Sequence, residues 1–358
     1  MFKKIVVPLD GSALAEKALP YAANLAKMLE ARLVLMRIVH HRPHQINDYR
    51  LVQGEIPTQP SPEYYNGMDQ WSVSTMTYTP IPTQSEIEPL TVYSEEAEQA
   101  ENALEQTRQK LINPALDFKL GPEQVQTLVV YNRPLFEIAQ VAVEQEADLI
   151  VMTTHGRSGL SRLISGSVAN QVVEHSTLPV VLIRPYIEDE KKTTHPATQT
   201  VKIGESTGPL VVTLDGTAEA EAALEPAVAL AQAAGVQLHL LEVVQPLETV
   251  VTTDLIVLNM MDREDPAVET ARLKEVAQDY LGALVYRLKE QGITNCTTEV
   301  RVGSPVAEIE DYARRIGALM LVMATHARGR IGELVLGSVA EEVVRQVRLP
   351  VMLVRRPV

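Results

Sequence analysis

The sequence predicts an α/β protein of two doubly wound domains, each with a five-stranded, mostly parallel sheet flanked by helices. Three observations carry this prediction. The chain repeats itself once, in order and over most of its length. Within each copy, short β-branched runs alternate with amphipathic stretches. A length of 358 residues with 46% apolar and 22% charged side chains suits two independent cores.

The repeat is plain on self-comparison. IVVPLDGSALAEKAL from Ile5 recurs as LVVTLDGTAEAEAAL from Leu210, and ADLIVMTTHGRSGLSRLISGSVANQVV from Ala147 recurs as ALMLVMATHARGRIGELVLGSVAEEVV from Ala318. Each copy closes on a matching apolar run, LPVVLIR from Leu178 and LPVMLVR from Leu349. The first copy is the longer, and its surplus lies between His40 and roughly Ser94. That stretch carries Pro43, Pro57, Pro60, Pro62, Pro80, Pro82 and Pro89 among Thr, Ser, Gln and Tyr, and reads as an irregular insertion. With Tyr49, Tyr64, Tyr65, Trp71, Tyr78 and Tyr93 it leaves the ligand end of strand two, where a lid is one reading and a surface-packed loop the plainer one. A polar stretch links the copies. The expected domains are 1–185, with the insertion at about 40–95, and 209–358, joined by a linker at 186–208.

The first copy supplies the elements in order. Ile5 to Leu9 forms a buried strand, and Leu14, Ala18, Ala22, Leu25, Ala26 and Leu29 share one face of the helix that follows. Ser12 is the expected N-cap. Pro20 should kink this helix, as should Pro226 at nearly the same place in copy two. Arg32 to Val39 is the second strand and Glu95 to Leu111 a charged amphipathic helix. Then come a strand at Thr127 to Val130, a helix at Leu135 to Glu146, a strand at Leu149 to Thr153, a helix at Val168 to His175 and a last strand at Val180 to Ile183. Short buried strands joined through helices require right-handed crossovers and a sheet covered on both faces.

Charge and composition narrow the partners. A net charge of -14 argues against nucleic acid and against anionic membrane. No apolar run reaches the roughly 18 residues needed to span a bilayer, and MFKKIVVPLDGS has too short an apolar run for a signal-peptide core. Cys296 is the single cysteine and cannot form an intrachain disulfide, so a reducing cytoplasmic location is expected. Small-molecule and protein partners remain.

In an open parallel sheet ligands bind outside the carboxyl ends of the strands. Three segments meet there: Pro8-Leu9-Asp10-Gly11, Ile38-Val39-His40, and the loop from Met152 to Val168. Gly156 lets backbone approach a bulky anion, and Gly166-Ser167-Val168 opens a helix whose free N–H groups favour phosphate oxygens. Ser167 adds a hydroxyl, while Arg157 and Arg162 add positive charge. Asp10 is suited to accept from ribose hydroxyls or to hold a magnesium-bound water. Plainer readings stand beside these, since Asp10 and Ser167 also serve as helix caps. His155 and His326 occupy the same place in both copies, which suits a structural hydrogen bond as well as a ligand contact. His40, His41 and His44 cluster beside Pro43 and are not read as a metal site.

The paired PLDGS and MTTHGRSGLSRLISGSV segments resemble the universal stress protein family, whose ATP-binding members show G-x-x-G-x9-G-[ST]. Thr153 stands at the first glycine; Gly156, Gly166 and Ser167 match the rest, and Asp10 falls at the acidic position after strand one. The resemblance covers both copies but not the insertion. It implies a nucleotide α-hydrolase-like fold, with adenine held by backbone at Pro8, Leu9 and Ile38 and phosphates on Gly156, Gly166, Ser167 and Val168. It also implies that the two final strands pair the domains as a pseudo-dimer within the chain. In copy two Ala324 and Ala327 replace both early glycines, although Asp215, Gly337 and Ser338 remain and Arg328 and Arg330 keep that loop basic. The first copy is therefore the expected site for ATP with magnesium, with Pro8, Leu9, Asp10, Ile38, Met152, His155, Gly156, Arg157, Gly166, Ser167 and Val168 as its residues.

Three functions stay open on the residues alone: an ATP-binding stress or signalling module, a slow ATPase, and an interaction scaffold without nucleotide. No G-x-x-x-x-G-K-[ST] loop is present, and apart from Asp10 and His155 the loops supply no base or nucleophile. Protein partners and further homo-oligomers are expected in kind but not in identity.

Overall fold

The computed structural model describes residues 2–39, 88–113, 115, 118–131, 137–154, 167–185, 208–246, 265–325 and 337–355. The first half opens on β1 (Lys4–Pro8), where Ile5, Val6 and Val7 are all fully buried. A 3-10 turn (Ala15–Ala18) leads into α1 (Leu19–Met28), followed by β2 (Arg32–Val39), α2 (Glu88–Ile112), β3 (Val125–Tyr131), α3 (Ile138–Glu144), β4 (Leu149–Thr153), α4 (Ser167–His175) and β5 (Val180–Ile183). The second half repeats this with β6 (Leu210–Leu214), a 3-10 turn (Ala220–Ala223), α5 (Leu224–Ala234), β7 (Leu238–Val244), α6 (Pro266–Glu290), β8 (Cys296–Val302), α7 (Pro305–Arg315), β9 (Met320–Thr325), α8 (Ser338–Gln346) and β10 (Val351–Arg355).

Two details differ from expectation. Pro20 does not kink a helix, because the chain after β1 is a separate 3-10 turn and Pro20 stands in the first turn of α1. There its missing N–H is an orphan donor in any case. Ser12 does act as a cap, but on the 3-10 segment, its Oγ accepting from the Ala15 N–H at 3.1 Å. The second difference is α2, which starts at Glu88 rather than Glu95. Pro89 is tolerated for the same reason as Pro20, at the second position of the helix. The rest of the insertion, including His40, His41, His44 and Trp71, lies outside the described residues.

All ten strands form one sheet in the order β3-β2-β1-β4-β5-β10-β9-β6-β7-β8. Within each half neighbouring strands are parallel; β5 and β10 are antiparallel, with Val351 opposite Leu182, Met352 opposite Val181 and Leu353 opposite Val180. The strand order reads the same from either edge outward from that seam. Side chains alternate between faces along each strand. Ile5, Val7, Leu33, Leu35 and Val151 pack with Leu25 of α1 and Leu104 and Leu111 of α2, and the second half continues that face with Leu230 and Leu281. Val6, Val34, Met36, Ile150 and Met152 face the other way, onto Ile138 of α3 and Val172 of α4, continued by Ile309 and Val343. Val181 and Met352 join the first face across the seam, and Leu182 and Val351 the second. Both apolar layers are thus continuous from one half to the other.

Candidate functional site

The chain runs from β1 outward through β2 to β3 and then returns to lay β4 on the opposite side of β1. The winding reverses between β1 and β4, and the crevice beyond their carboxyl ends is the topological switch point of the half. The β1–β4 register pairs Ile5 with Leu149 and Val6 with Ile150, so the strands end side by side at Pro8 and at Met152–Thr153. Pro8 is half-buried opposite Met36, and Leu9 is buried with its N–H donating to the Met36 carbonyl at 2.7 Å. Ile38 lies half-buried near the end of β2, opposite Val130. Met152 is buried opposite Leu182.

Asp10 is half-buried, and its Oδ1 accepts from the Ser12 N–H at 2.8 Å. This carboxylate closes a turn on its own backbone two residues on rather than capping a helix, and so fixes the chain leading to the 3-10 segment. Next to it, a Cβ placed on Gly11 would stand 3.1 Å from Arg37 Nη2 and 3.2 Å from Cζ. The Arg37 guanidinium, carried by β2, thus lies flat against the turn that holds Asp10. Sequence reasoning passed over Arg37, although the repeat contains a signal: Arg37 aligns with the oppositely charged Glu242 within mostly apolar strands.

Ser167 is the first residue of α4 and half-buried Val168 follows it, so the helix opens beyond the ends of β4 and β5 as expected. No acidic residue stands in its first turn, where one would offset the positive end of the helix dipole. His155, Gly156, Arg157 and Gly166 lie outside the described residues, as do His326 and Ala327. Thr153, at the family's first glycine, is buried, and the neighbouring Thr154 N–H donates to the Ile183 carbonyl at 3.0 Å.

The second half builds the same crevice with different charge. Asp215 Oδ1 accepts from the Thr217 N–H at 3.0 Å and from its hydroxyl at 2.5 Å. Beside Gly216 the nearest atom to a built Cβ is Glu242 Oε1, at 3.9 Å. Glu242 Oε2 is buried and has no hydrogen-bond partner among the described residues. Burial and the Asp215 charge push the Glu242 carboxyl above the usual carboxylate range. Tyr280, on α6, donates to Glu221 Oε1 at 3.3 Å. Burial and the charges of Glu221, Glu242 and Asp215 raise its hydroxyl well above an ordinary tyrosine. Glu341 occupies the first turn of α8.

Among the described residues no group of three or more His, Cys, Asp or Glu side chains is arranged to hold a metal, and no helix is long and apolar enough to cross a membrane. Cys296 is buried at the start of β8, and burial pushes its thiol up to about 11, which removes thiolate chemistry at neutral pH.

A sheet of this winding, with an acid after β1 and a helix opening beyond β4, defines a doubly wound α/β protein. The universal stress protein family matches residues 1–64, 72–184 and 207–355. The chain belongs to that family. It is 28% identical over 184 residues to universal stress protein YxiE of Bacillus subtilis, a match covering 51% of this chain and 100% of that protein. It is 25% identical over 187 residues to a universal stress protein of Methanocaldococcus jannaschii, covering 51% of this chain and 83% of that one. The crystal structure of a universal stress protein from Archaeoglobus fulgidus superposes with a TM-score of 0.57 over 100% of both chains at 17% identity. That likeness speaks for the fold.

Proposed function

We propose that this protein binds one adenine nucleotide, ATP with magnesium, at the switch point of its first half, and works as a nucleotide-dependent stress or signalling module in the cytoplasm. The observation that carries the reading is the α4 N-terminus, free of acidic residues in its first turn, opening at the same sheet end as the turn after β1 that holds Asp10, against whose Gly11 the β2 residue Arg37 lies. Backbone donors and the positive end of a helix dipole suit phosphate oxygens, and a carboxylate at the end of β1 suits a ribose or a magnesium-bound water. The residues of the site are Pro8, Leu9, Asp10, Ile38, Met152, His155, Gly156, Arg157, Gly166, Ser167 and Val168, with backbone at Pro8, Leu9 and Ile38 meeting the base. The halves, 1–185 and 209–358 with a linker at 186–208, act as a pseudo-dimer paired through β5 and β10.

Releasing bound nucleotide from freshly purified protein by denaturation, and quantifying it per chain by chromatography and mass, tests this. The expected result is about one adenine nucleotide per chain, lost in Gly166→Asp. A chain that releases none and takes up no added ATP with Mg²⁺ overturns the reading. A second reading, an interaction scaffold without nucleotide, draws support from the buried Thr153 side chain where ATP-binding relatives carry glycine. It predicts that empty result.

A further inference from the structure

We propose that the equivalent residues Arg37 and Glu242 set the charge each half admits: Arg37 favours an anionic nucleoside phosphate at the first site, and Glu242 excludes one from the second. The inference rests on the nucleotide reading and adds to it the residues that decide which half is filled.

The two residues occupy one place in the fold. In parallel register β1 pairs Pro8 with Met36 and β6 pairs Leu214 with Glu242. Arg37 and Glu242 both bring their charged ends against the glycine after the β1 or β6 acid, Gly11 in one half and Gly216 in the other. In the first half the Arg37 guanidinium stands against Gly11, the residue next to Asp10, at the mouth of the crevice. In the second, Glu242 adds a like charge to Asp215, and burial first, then the Asp215 charge, raise its carboxyl.

The surroundings repeat the contrast. Ala103 of α2 aligns with Tyr280 of α6, so the second half carries a phenol ring where the first has a methyl. Glu221, Glu242 and Asp215 all act on that phenol. The neutral Asn170 in the first turn of α4 aligns with Glu341 in the first turn of α8. Each exchange makes the second crevice more negative or narrower. By contrast, the ion pair on the flank is kept in kind, as Lys110 with Glu16 and Arg287 with Glu221.

The test counts ATP bound per chain by equilibrium dialysis with Mg²⁺ at several salt concentrations. It uses the full chain and the variants Arg37→Lys, Arg37→Gln, Arg37→Glu and Glu242→Arg with Tyr280→Ala. The wild type should bind one ATP. Arg37→Gln should weaken binding about tenfold and flatten its salt dependence, Arg37→Glu more so, while Arg37→Lys keeps most of both. A residue that merely packs on Gly11 would shift thermal stability and leave the salt dependence unchanged. The Glu242→Arg, Tyr280→Ala variant should take up a second, weaker ATP. Wild-type affinity and salt dependence in Arg37→Glu, two ATP in the wild type, or only one in the double variant overturns the selector and leaves the nucleotide reading standing. No ATP on the wild type overturns both.

Discussion

Arg184, at the end of β5, reaches across the seam and donates through Nη1 to the backbone carbonyl of Gln346 at the C-terminus of α8, 2.9 Å away. Arg355, its equivalent in the second half, donates to the carbonyl of Glu174 in the last turn of α4 at 3.2 Å. Each half thus caps the final helix of the other with a cation, where orphan carbonyls and the negative end of the helix dipole favour one. Replacing Arg184 or Arg355 with Ala should each cost about 0.5–1 kcal/mol in urea unfolding, because the contacts are exposed or only partly buried. The helices themselves should persist by circular dichroism.

Between these caps the seam is apolar, with Val181 and Met352 both fully buried and directly opposed. Met352→Asp places an unpaired charge in that layer and should cost several kcal/mol. Limited proteolysis should then cut in the linker faster than in the wild type, as the halves part.

The halves close two equivalent helices differently. After α1 and α3 the chain turns left-handed at Glu30 (φ 51) and Glu146 (φ 54), whereas after α5 and α7 it does so at Gly235 (φ 65) and Gly317 (φ 63). The following N–H closes each helix in the same way, Ala31 to Ala26 at 2.8 Å and Val236 to Ala231 at 3.0 Å, for example. A left-handed residue with a Cβ costs roughly 1–2 kcal/mol, partly offset by the greater unfolded-state entropy of glycine. Glu146→Gly and Glu30→Gly should therefore each raise stability by about 0.5–1 kcal/mol, while Gly317→Ala should lower it by a similar amount. Thermal unfolding of the three variants checks the sign in each case.

Much of this architecture is legible in the sequence because buried parallel strands leave continuous apolar runs. Leu149–Thr153 and Val180–Ile183 are found where expected for that reason. The seam is expected from family resemblance and from the need to cover the LPVVLIR and LPVMLVR edges, whereas the register that opposes Val181 and Met352 needs three dimensions. Pro20 misleads because Ala15 and Ala18 of the 3-10 turn are buried like the helical positions after them, so the periodicity runs unbroken across two elements. At the site, Asp10 and the α4 N-terminus are readable from spacing. Arg37 is less so: its alignment with Glu242 marks a charge difference between the halves, but an arginine in a strand also suits a solvated position, and its approach to Gly11 is what sets it at the crevice.

A partly buried polar pair in the second half makes its stability depend on pH. His239 Nδ1 lies 2.8 Å from the Tyr312 hydroxyl, and its Nε2 is buried without a partner among the described residues. Burial holds the imidazole below the usual histidine range, against a weaker opposing pull from Glu299. The folded state therefore favours neutral His239. Its contribution is intact above the unfolded value near 6.5 and is lost as pH falls from there through the folded value. The first half carries Val34 and Val141 at these places, both buried. The double variant His239→Val, Tyr312→Val should abolish that part of the acid destabilisation, on the order of 0.5 kcal/mol after solvent screening. Urea midpoints at pH 7 and pH 5 would reveal it, and an unchanged difference between the two would refute it.

Glu242 makes the opposite pH signature, which allows its electrostatic strain to be read without any nucleotide. Its folded carboxyl titrates above the usual value because of burial and Asp215. The protonated form is thus favoured in the fold, and the stability it gives is present below the unfolded value near 4.5 and lost as pH rises through the folded one. Glu242→Gln should accordingly stabilise the protein at pH 7, by on the order of 0.5 kcal/mol after screening, with the gain shrinking toward zero at pH 4. Added salt should reduce the pH 7 gain, since screening relieves the repulsion from Asp215 more than it relieves desolvation. A gain that stays constant from pH 7 to pH 4 would mean that shape rather than charge sets the difference, and would remove the electrostatic basis for excluding an anion from the second half.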